Sequence, residues 1–291
     1  MHEQKIITYL QDIKKIVDNE IDDVLQNDNR LIDGLMKSAV YSSSGGKRVR
    51  AVFTYLVGQM FGIEKEKLIR SACSIELIHA ASLIMDDLPY MDDSQLRRGK
   101  PANHVVFGQD VALLASIGLL SKASQIVFKD PQLTSDQKIK VTEILTNSFG
   151  FDGLAAGQFV DLKLKDKHID FEIIEFINDK KTAALFTAAG KVAAIIGGAT
   201  AKQLSAIETF SENIGFAFQI VDDMIDIAGD KKIVGKDVGH DKMNFVKLVG
   251  KEEAERYLKD YHKKAEDALI GFGSKADELK SFSRYLLERV K

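Results

Sequence analysis

Apolar residues recur at steps of three and four along three long stretches of the chain. The first holds Ile6, Leu10, Ile13, Val17, Ile21 and Val24, and the second Ile207, Phe210, Ile214, Phe218, Val221 and Ile225. The third, richer in alanine, holds Ala254, Tyr257, Tyr261, Ala265 and Ala268. This spacing puts one apolar stripe on each of three amphipathic helices, and no comparable series of alternating strand residues occurs. Proline, which breaks helix interiors, is confined to Pro89, Pro101 and Pro131, so long helices are permitted throughout the second half. Breaks fall at the Ser/Gly turn of residues 42–46, the polar stretch 94–103, the turn 129–134 and the charged, glycine-containing stretch 229–242. Thr134 or Ser135 is placed to cap the helix after the third break. With no internal repeat and no linker, the pattern predicts a single all-α domain over residues 1–291.

Composition narrows this picture. Hydrophobic residues make up 45% and charged residues 29% of the 291, as in a soluble globular chain. A formal net charge of −3 gives no general reason to expect nucleic acid or an acidic membrane as partner. Anionic ligands must then be held by local clusters of Lys and Arg. Cys73 is the only cysteine, so no internal disulfide forms, and its apolar setting predicts a buried structural thiol. The N-terminal residues lack the apolar core of a signal peptide. A membrane span needs about 20 apolar residues, whereas the run 111–120 is too short and the stretch after Phe186 is interrupted by Lys191. These features predict no transmembrane segment and a cytoplasmic location.

Chemistry concentrates in two acidic clusters. Asp86, Asp87, Asp92 and Asp93 follow the apolar run Leu83-Ile84-Met85, and Asp222, Asp223 and Asp226 follow Ile220-Val221. Asp222 and Asp226 share one helix face. Pro89 is expected to end the first helix, so that Asp92 returns toward Asp86 from an irregular segment. Crowded carboxylates repel one another and are not left unpaired beside apolar turns. Magnesium resolves the conflict, since it takes one or two carboxylates together with waters and substrate phosphates. Either cluster alone could be a solvated helix end; the pair points to a multi-magnesium site for a polyphosphate. Lys47, Arg48 and Arg50 form one basic cluster, open to reading as a solvated turn, and Arg97 and Arg98 form another. His79 lies two helical turns before Asp86, on the same face.

Taken together, Gly45-Gly46-Lys47-Arg48-Val49-Arg50, Glu76-Leu77-Ile78-His79, the stretch from Asp86 to Arg98, Gly157-Gln158 with Asp161, Lys181-Thr182, and Gly215 to Asp226 followed by Gly235-Lys236 resemble the short-chain trans-polyprenyl diphosphate synthases, the farnesyl and geranylgeranyl diphosphate synthase family. The resemblance runs from about Ser42 to the C-terminus. It implies an isoprenoid synthase-like bundle of ten or more helices around a deep central cavity, and a homodimer. It further implies that isopentenyl diphosphate condenses head to tail with dimethylallyl, geranyl or farnesyl diphosphate, using about three magnesium ions per active site. Asp86 and Asp92, assisted by Asp87, are the implied metal ligands of the first motif, and Asp222, Asp223 and Asp226 those of the second. Arg97 is the implied partner of the allylic diphosphate, and Arg98 that of isopentenyl diphosphate. Lys47, Arg50 and His79 match the isopentenyl diphosphate pocket, whereas Lys181, Thr182, Gln219 and Lys236 match groups around the allylic substrate. The resemblance implies that Asp86, Asp92, Lys181 and Asp222 carry the catalytic roles.

Ala81 and Ser82 lie about one turn before Asp86, beneath the metal site. Farnesyl-forming relatives commonly place an aromatic at the position of Ala81, so the small residue predicts a product longer than fifteen carbons, with twenty favoured. The resemblance frays where Ala51 replaces a usual proline, Met85 a usual histidine, and Ser116-Ile117 a Gly-Asp pair. It frays again after the second motif, where a stretch about four residues short ends in Lys242-Met243-Asn244. These departures keep open a non-catalytic regulatory subunit of a heteromeric synthase, although both aspartate clusters are complete. A terpene cyclase is disfavoured by the all-aspartate second motif.

Overall fold

The computed structural model describes residues 2–164, 170–228 and 244–288. Fourteen α-helices are numbered here among those residues: α1 His2–Val24, α2 Asp33–Ser43, α3 Val49–Met60, α4 Lys65–Asp86, α5 Asn103–Phe107, α6 Gln109–Phe128 and α7 Ser135–Phe149, then α8 Leu154–Leu164, α9 Phe171–Asn178, α10 Ala184–Ile196, α11 Ala201–Ala228, α12 Phe245–Val249, α13 Lys251–Ala268 and α14 Asp277–Leu287. The three periodic stretches form α1, α11 and α13, and their stripes point inward: Ile13, Val17, Ile21, Ile207, Phe210, Ile214, Ala254 and Ala265 are all buried. Thr134 is the cap of α7, in a reciprocal pair of hydrogen bonds with Gln137. The expected loop at 229–242 lies outside the described residues.

α4 runs through the middle, packed on α1, α3, α6 and α10, and is buried on most of its surface. That position explains its near-continuous apolar sequence, which has no strong one-sided period. Cys73 lies within it, fully buried, and burial pushes its thiol well up, as expected of a structural cysteine. Phe53, Phe186, Phe210 and Phe218 form an aromatic group with neighbouring ring centroids 5.3 to 5.8 Å apart.

Among the described residues, two helices, α4 and α6, are long and apolar enough to cross a membrane by length and composition. The run 111–120 is thus part of a longer helix than its own length suggested. α4 is mostly interior. α6 packs on α2, α4 and α7 but leaves Leu113, Leu114 and Ile117 exposed, beside exposed Val105 and Val106 of α5.

Two local features were not foreseen. Residues 94–103 include a small antiparallel hairpin, Leu96–Arg97 against Lys100–Pro101. Its two-residue turn, Arg98-Gly99, has φ of 54° and 72°, the positive values a twist-compatible hairpin turn requires. The second feature is a π-helical turn, Asp179–Ala183, between α9 and α10.

Candidate active site

α4 ends at Asp86, and the chain beyond it folds back. The Asp92 N–H donates to the Asp86 carbonyl at 2.9 Å, and the N–H groups of Met91 and Asp93 donate to the Leu88 carbonyl. Six residues of sequence separation are thereby closed into one compact turn. Asp93 supports the turn with a left-handed φ of 50°. Among the described residues, the non-glycine residues with positive φ are Arg48, Asp93 and Arg98, all within these motifs. Such backbone is costly and gathers at functional sites.

The two adjacent aspartates of this motif differ. Asp87 is buried, and the Arg97 guanidinium grips its carboxylate from the hairpin, Nε lying 3.0 and 3.1 Å from the two oxygens and Nη2 donating as well. Burial pushes the Asp87 carboxyl up against the opposing pull of Arg97. Asp86 is half-buried and not gripped in this way. Burial and the neighbouring Asp92 and Asp87 push its carboxyl up to about 6, with Lys181 and Arg97 opposing.

Lys181 sits on the π turn, its Nζ 2.6 Å from Asp161 of α8. Burial works to lower this ammonium, but Asp86, Asp161 and Asp92 outweigh it and hold the group above its ordinary value. The next residue turns to the other motif. Thr182 donates its hydroxyl to Gln219 Oε1 at 2.7 Å, and Gln219 Nε2 donates to Asp223 Oδ1 at 2.8 Å. One π turn therefore connects both aspartate motifs. Two glycines make room for it: a Cβ on Gly157 would lie 2.8 Å from the Lys181 nitrogen, and one on Gly215 2.5 Å from the Ala183 Cα. Both glycines belong to the motifs quoted above, and close backbone approach is the physical reason for them.

In the second motif Asp223 is the buried aspartate, receiving Gln219 on one oxygen and the Phe245 N–H on the other, at 2.7 Å. Asp226 is also buried, and its Oδ2 has no hydrogen-bond partner among the described residues. A carboxylate oxygen left so is expensive unless a cation reaches it. Asp222 is half-buried, and its charge acts on Arg50 of α3.

The first basic cluster separates into different tasks. Arg48, 3% exposed, turns inward to Asp18 and the Ser43 carbonyl and lies 3.6 Å from Glu76. Glu76 in turn accepts the Ala51 N–H, capping the start of α3. Arg48 is therefore scaffold, and its left-handed φ of 57° turns the chain into the helix. Lys47 is exposed. The Arg50 guanidinium lies 4.8 Å above the Phe186 ring, and its Nε has no hydrogen-bond partner among the described residues. Burial, with Arg98, lowers the Arg50 guanidinium, while Glu76 and Asp222 act against it. Burial and the charges of Arg50, Arg98, Arg97 and Arg48 hold His79 well below its ordinary value, so it is a neutral imidazole in a cationic setting. A Cβ on Gly46 would lie 3.0 Å from Arg48 Nη1, with the Arg98 guanidinium at 3.4 Å, and Arg98 donates to the Ser44 carbonyl at 3.2 Å. The result is a cationic cluster whose charges act on one another and on the acidic residues Glu76 and Asp222.

Among the described residues no three acidic, His or Cys side chains converge into a closed cage. Magnesium does not need one, because it draws most of its ligands from phosphate and water. The open set of Asp86, Asp92, Asp222 and Asp226, with one orphaned buried oxygen, fits that habit. Lys236 lies outside the described residues. Ala81 is fully buried on α4, and Ser82 donates its hydroxyl to the His79 carbonyl.

Residues 33–267 match the family model described as polyprenyl synthetase. The chain belongs to the polyprenyl synthetase family. It is 35% identical over 274 residues to the farnesyl diphosphate synthase of Bacillus subtilis, covering 92% of each chain. To the putative chloroplastic geranylgeranyl pyrophosphate synthase 8 of Arabidopsis thaliana it is 38% identical over 253 residues, 84% of this chain and 70% of that one. The crystal structure of an FPP/GFPP synthase from Zymomonas mobilis superposes with a TM-score of 0.89 at 30% identity, over 99% of this chain and 100% of the other. That solved structure shares the fold over essentially the full length of both chains. Sequence reasoning about this polyprenyl synthetase chain left three supports unassigned: Asp161 on Lys181, Glu76 on α3, and Asn244, which meets the second motif. Asp161 and Glu76 stood inside quoted motifs, but only contact reveals what they hold.

Proposed function

We propose that the chain is a magnesium-dependent prenyltransferase that joins isopentenyl diphosphate head to tail to allylic diphosphates, releasing diphosphate and a trans-prenyl diphosphate of fifteen to twenty carbons. The observation that carries this reading is the π turn that places Lys181 among Asp86, Asp92 and Asp161 and hands Thr182 to the Gln219–Asp223 pair. An allylic diphosphate between the motifs would meet Lys181 directly. Asp86, Asp92, Asp222 and Asp226 would hold about three magnesium ions, which supply charge stabilisation on the departing diphosphate. Lys47, Arg50 and Arg98, with neutral His79, would hold the isopentenyl diphosphate.

As the allylic carbon–oxygen bond breaks, its electron pair leaves with the diphosphate, whose growing charge Lys181 helps to bear. The double bond of isopentenyl diphosphate attacks the allylic carbon, a new carbon–carbon bond forms, and one proton is lost to the released diphosphate. No protein nucleophile is needed. The aromatic group under Arg50 helps exclude water, which would quench a carbocation. Asp87 and Asp223, gripped by the protein, serve the metal mainly by fixing their neighbours.

Ala81 offers no aromatic stop, which supports a twenty-carbon product. The exposed apolar face of α5 and α6 supports a homodimer, because a patch of this kind is ordinarily covered by a partner. Water-soluble diphosphate substrates fit a cytoplasmic setting. Complete aspartate motifs do not favour the regulatory-subunit reading.

Purified protein with magnesium, labelled isopentenyl diphosphate and each allylic primer should give elongated diphosphates that disappear on chelation. No product with any primer would overturn the synthase reading. Ala81→Phe should shorten the product to fifteen carbons; a wild-type product that already stops there would overturn the length argument.

A further inference from the structure

Asn244 is 2% exposed and uses both ends of its amide. Its Oδ1 accepts the N–H groups of Val246 at 3.0 Å and Lys247 at 3.1 Å, which caps α12. Its Nδ2 donates to the main-chain carbonyl of Asp223 at 3.1 Å. The following Phe245 N–H reaches the Asp223 carboxylate itself at 2.7 Å. Phe245 is anchored in turn, its ring 5.8 Å from Phe171 and 5.4 Å from Tyr257. At Asp223, α11 is thus tied to a segment about 21 residues further on by two adjacent donors.

Capping accounts for only half of these bonds. A cap needs the acceptor, and Ser, Thr or Asp would provide it. The donor to Asp223 is a separate contribution, and it acts on the residue flanked by Asp222 and Asp226. From the proposed function, on which this rests, we infer that Asn244 is a positioning residue for the second aspartate motif: its amide holds the Asp223 turn so that Asp222 and Asp226 face the diphosphate–magnesium site. Groups of this kind do not touch the metal, yet losing them commonly weakens metal affinity.

Asn244→Ser and Asn244→Ala separate the two contributions. Serine keeps a capping oxygen but is too short to span to the Asp223 carbonyl, whereas alanine loses both. Each variant is measured by the magnesium concentration for half-maximal turnover, by calorimetry of magnesium-dependent binding of an unreactive thiolo analogue of the allylic diphosphate, and by thermal unfolding. The inference expects both variants to need about 10-fold more magnesium and to bind the analogue correspondingly more weakly. Only Asn244→Ala should lose thermal stability. The KM for isopentenyl diphosphate, held on the other side, should stay within about twofold. Asn244→Ser with wild-type magnesium dependence and analogue binding would reduce Asn244 to a helix cap and overturn the inference. So would equal weakening toward both substrates. An inactive wild-type chain that also fails to bind the analogue would overturn the synthase reading and take this inference with it, an outcome distinct from active wild type with unaltered variants.

Discussion

The two aspartate motifs reach the same arrangement by opposite routes. In each, the second of two adjacent aspartates is buried and held by protein donors, Asp87 by Arg97 and Asp223 by Gln219 and the Phe245 N–H. In each, the preceding aspartate is half-buried beside a charge from another helix, Lys181 for Asp86 and Arg50 for Asp222. The second motif gets its spacing from an unbroken helix, since i and i+4 share a face. The first lies past a helix end and must be built from a turn, with a strained Asp93 and an Asp92 N–H returning to the Asp86 carbonyl. Paired carboxylates in such motifs therefore divide the work, one side chain anchoring the backbone that aims its neighbour.

The sharpest way to break this comparison is to neutralise each member of a pair. Asp86→Asn should lower kcat/KM by about 10³-fold with little change in unfolding, since it removes charge aimed at the reacting diphosphate. Asp87→Asn should act mainly on stability, costing about 3 kcal/mol in denaturant unfolding, because it leaves Arg97 without its buried counter-charge. That figure is at the low end for such a break because the Arg97 side chain is 24% exposed. Equal effects of the two substitutions on both readouts would erase the distinction between them.

The π turn joining the motifs is tested next. Gly215→Ala forces a methyl to 2.5 Å from the Ala183 Cα. Overpacking of this kind costs about 1–3 kcal/mol, and the shift it imposes on Lys181 and Thr182 should lower turnover more than it raises KM. Unfolding curves and steady-state kinetics together check it. The smallest effect belongs to Thr182→Val, which leaves Gln219 Oε1 without its donor and should cost about 1 kcal/mol. A raised KM for the allylic primer with unchanged KM for isopentenyl diphosphate would place Thr182 on the allylic side.

Legibility in the sequence followed the range of the interaction. The period of Ile207 to Ile225 is a local property, so α11 and the shared face of Asp222 and Asp226 could be read directly. Pro89 announced the end of α4, and the return of Asp92 could be anticipated. The π turn could not, because Lys180-Lys181-Thr182 has an ordinary helical composition; the turn lies against Gly157 and Gly215, which come from helices distant in sequence. The three cations at 47, 48 and 50 looked alike for the same reason. Glu76 and Asp18 draw Arg48 inside, and neither is near it in sequence.

By itself, then, the sequence determined an all-α chain with two carboxylate clusters on apolar helices and a family resemblance strong enough to imply a chemistry, because helix period and motif spacing are properties of neighbouring residues. Only the tertiary structure decided which aspartate of each pair is anchored, which arginine is scaffold and which faces the site, and that Asn244 and Asp161 support the chemistry at all. Those assignments depend on hydrogen bonds and charge pairs between residues far apart in the chain, and burial fixes their strength.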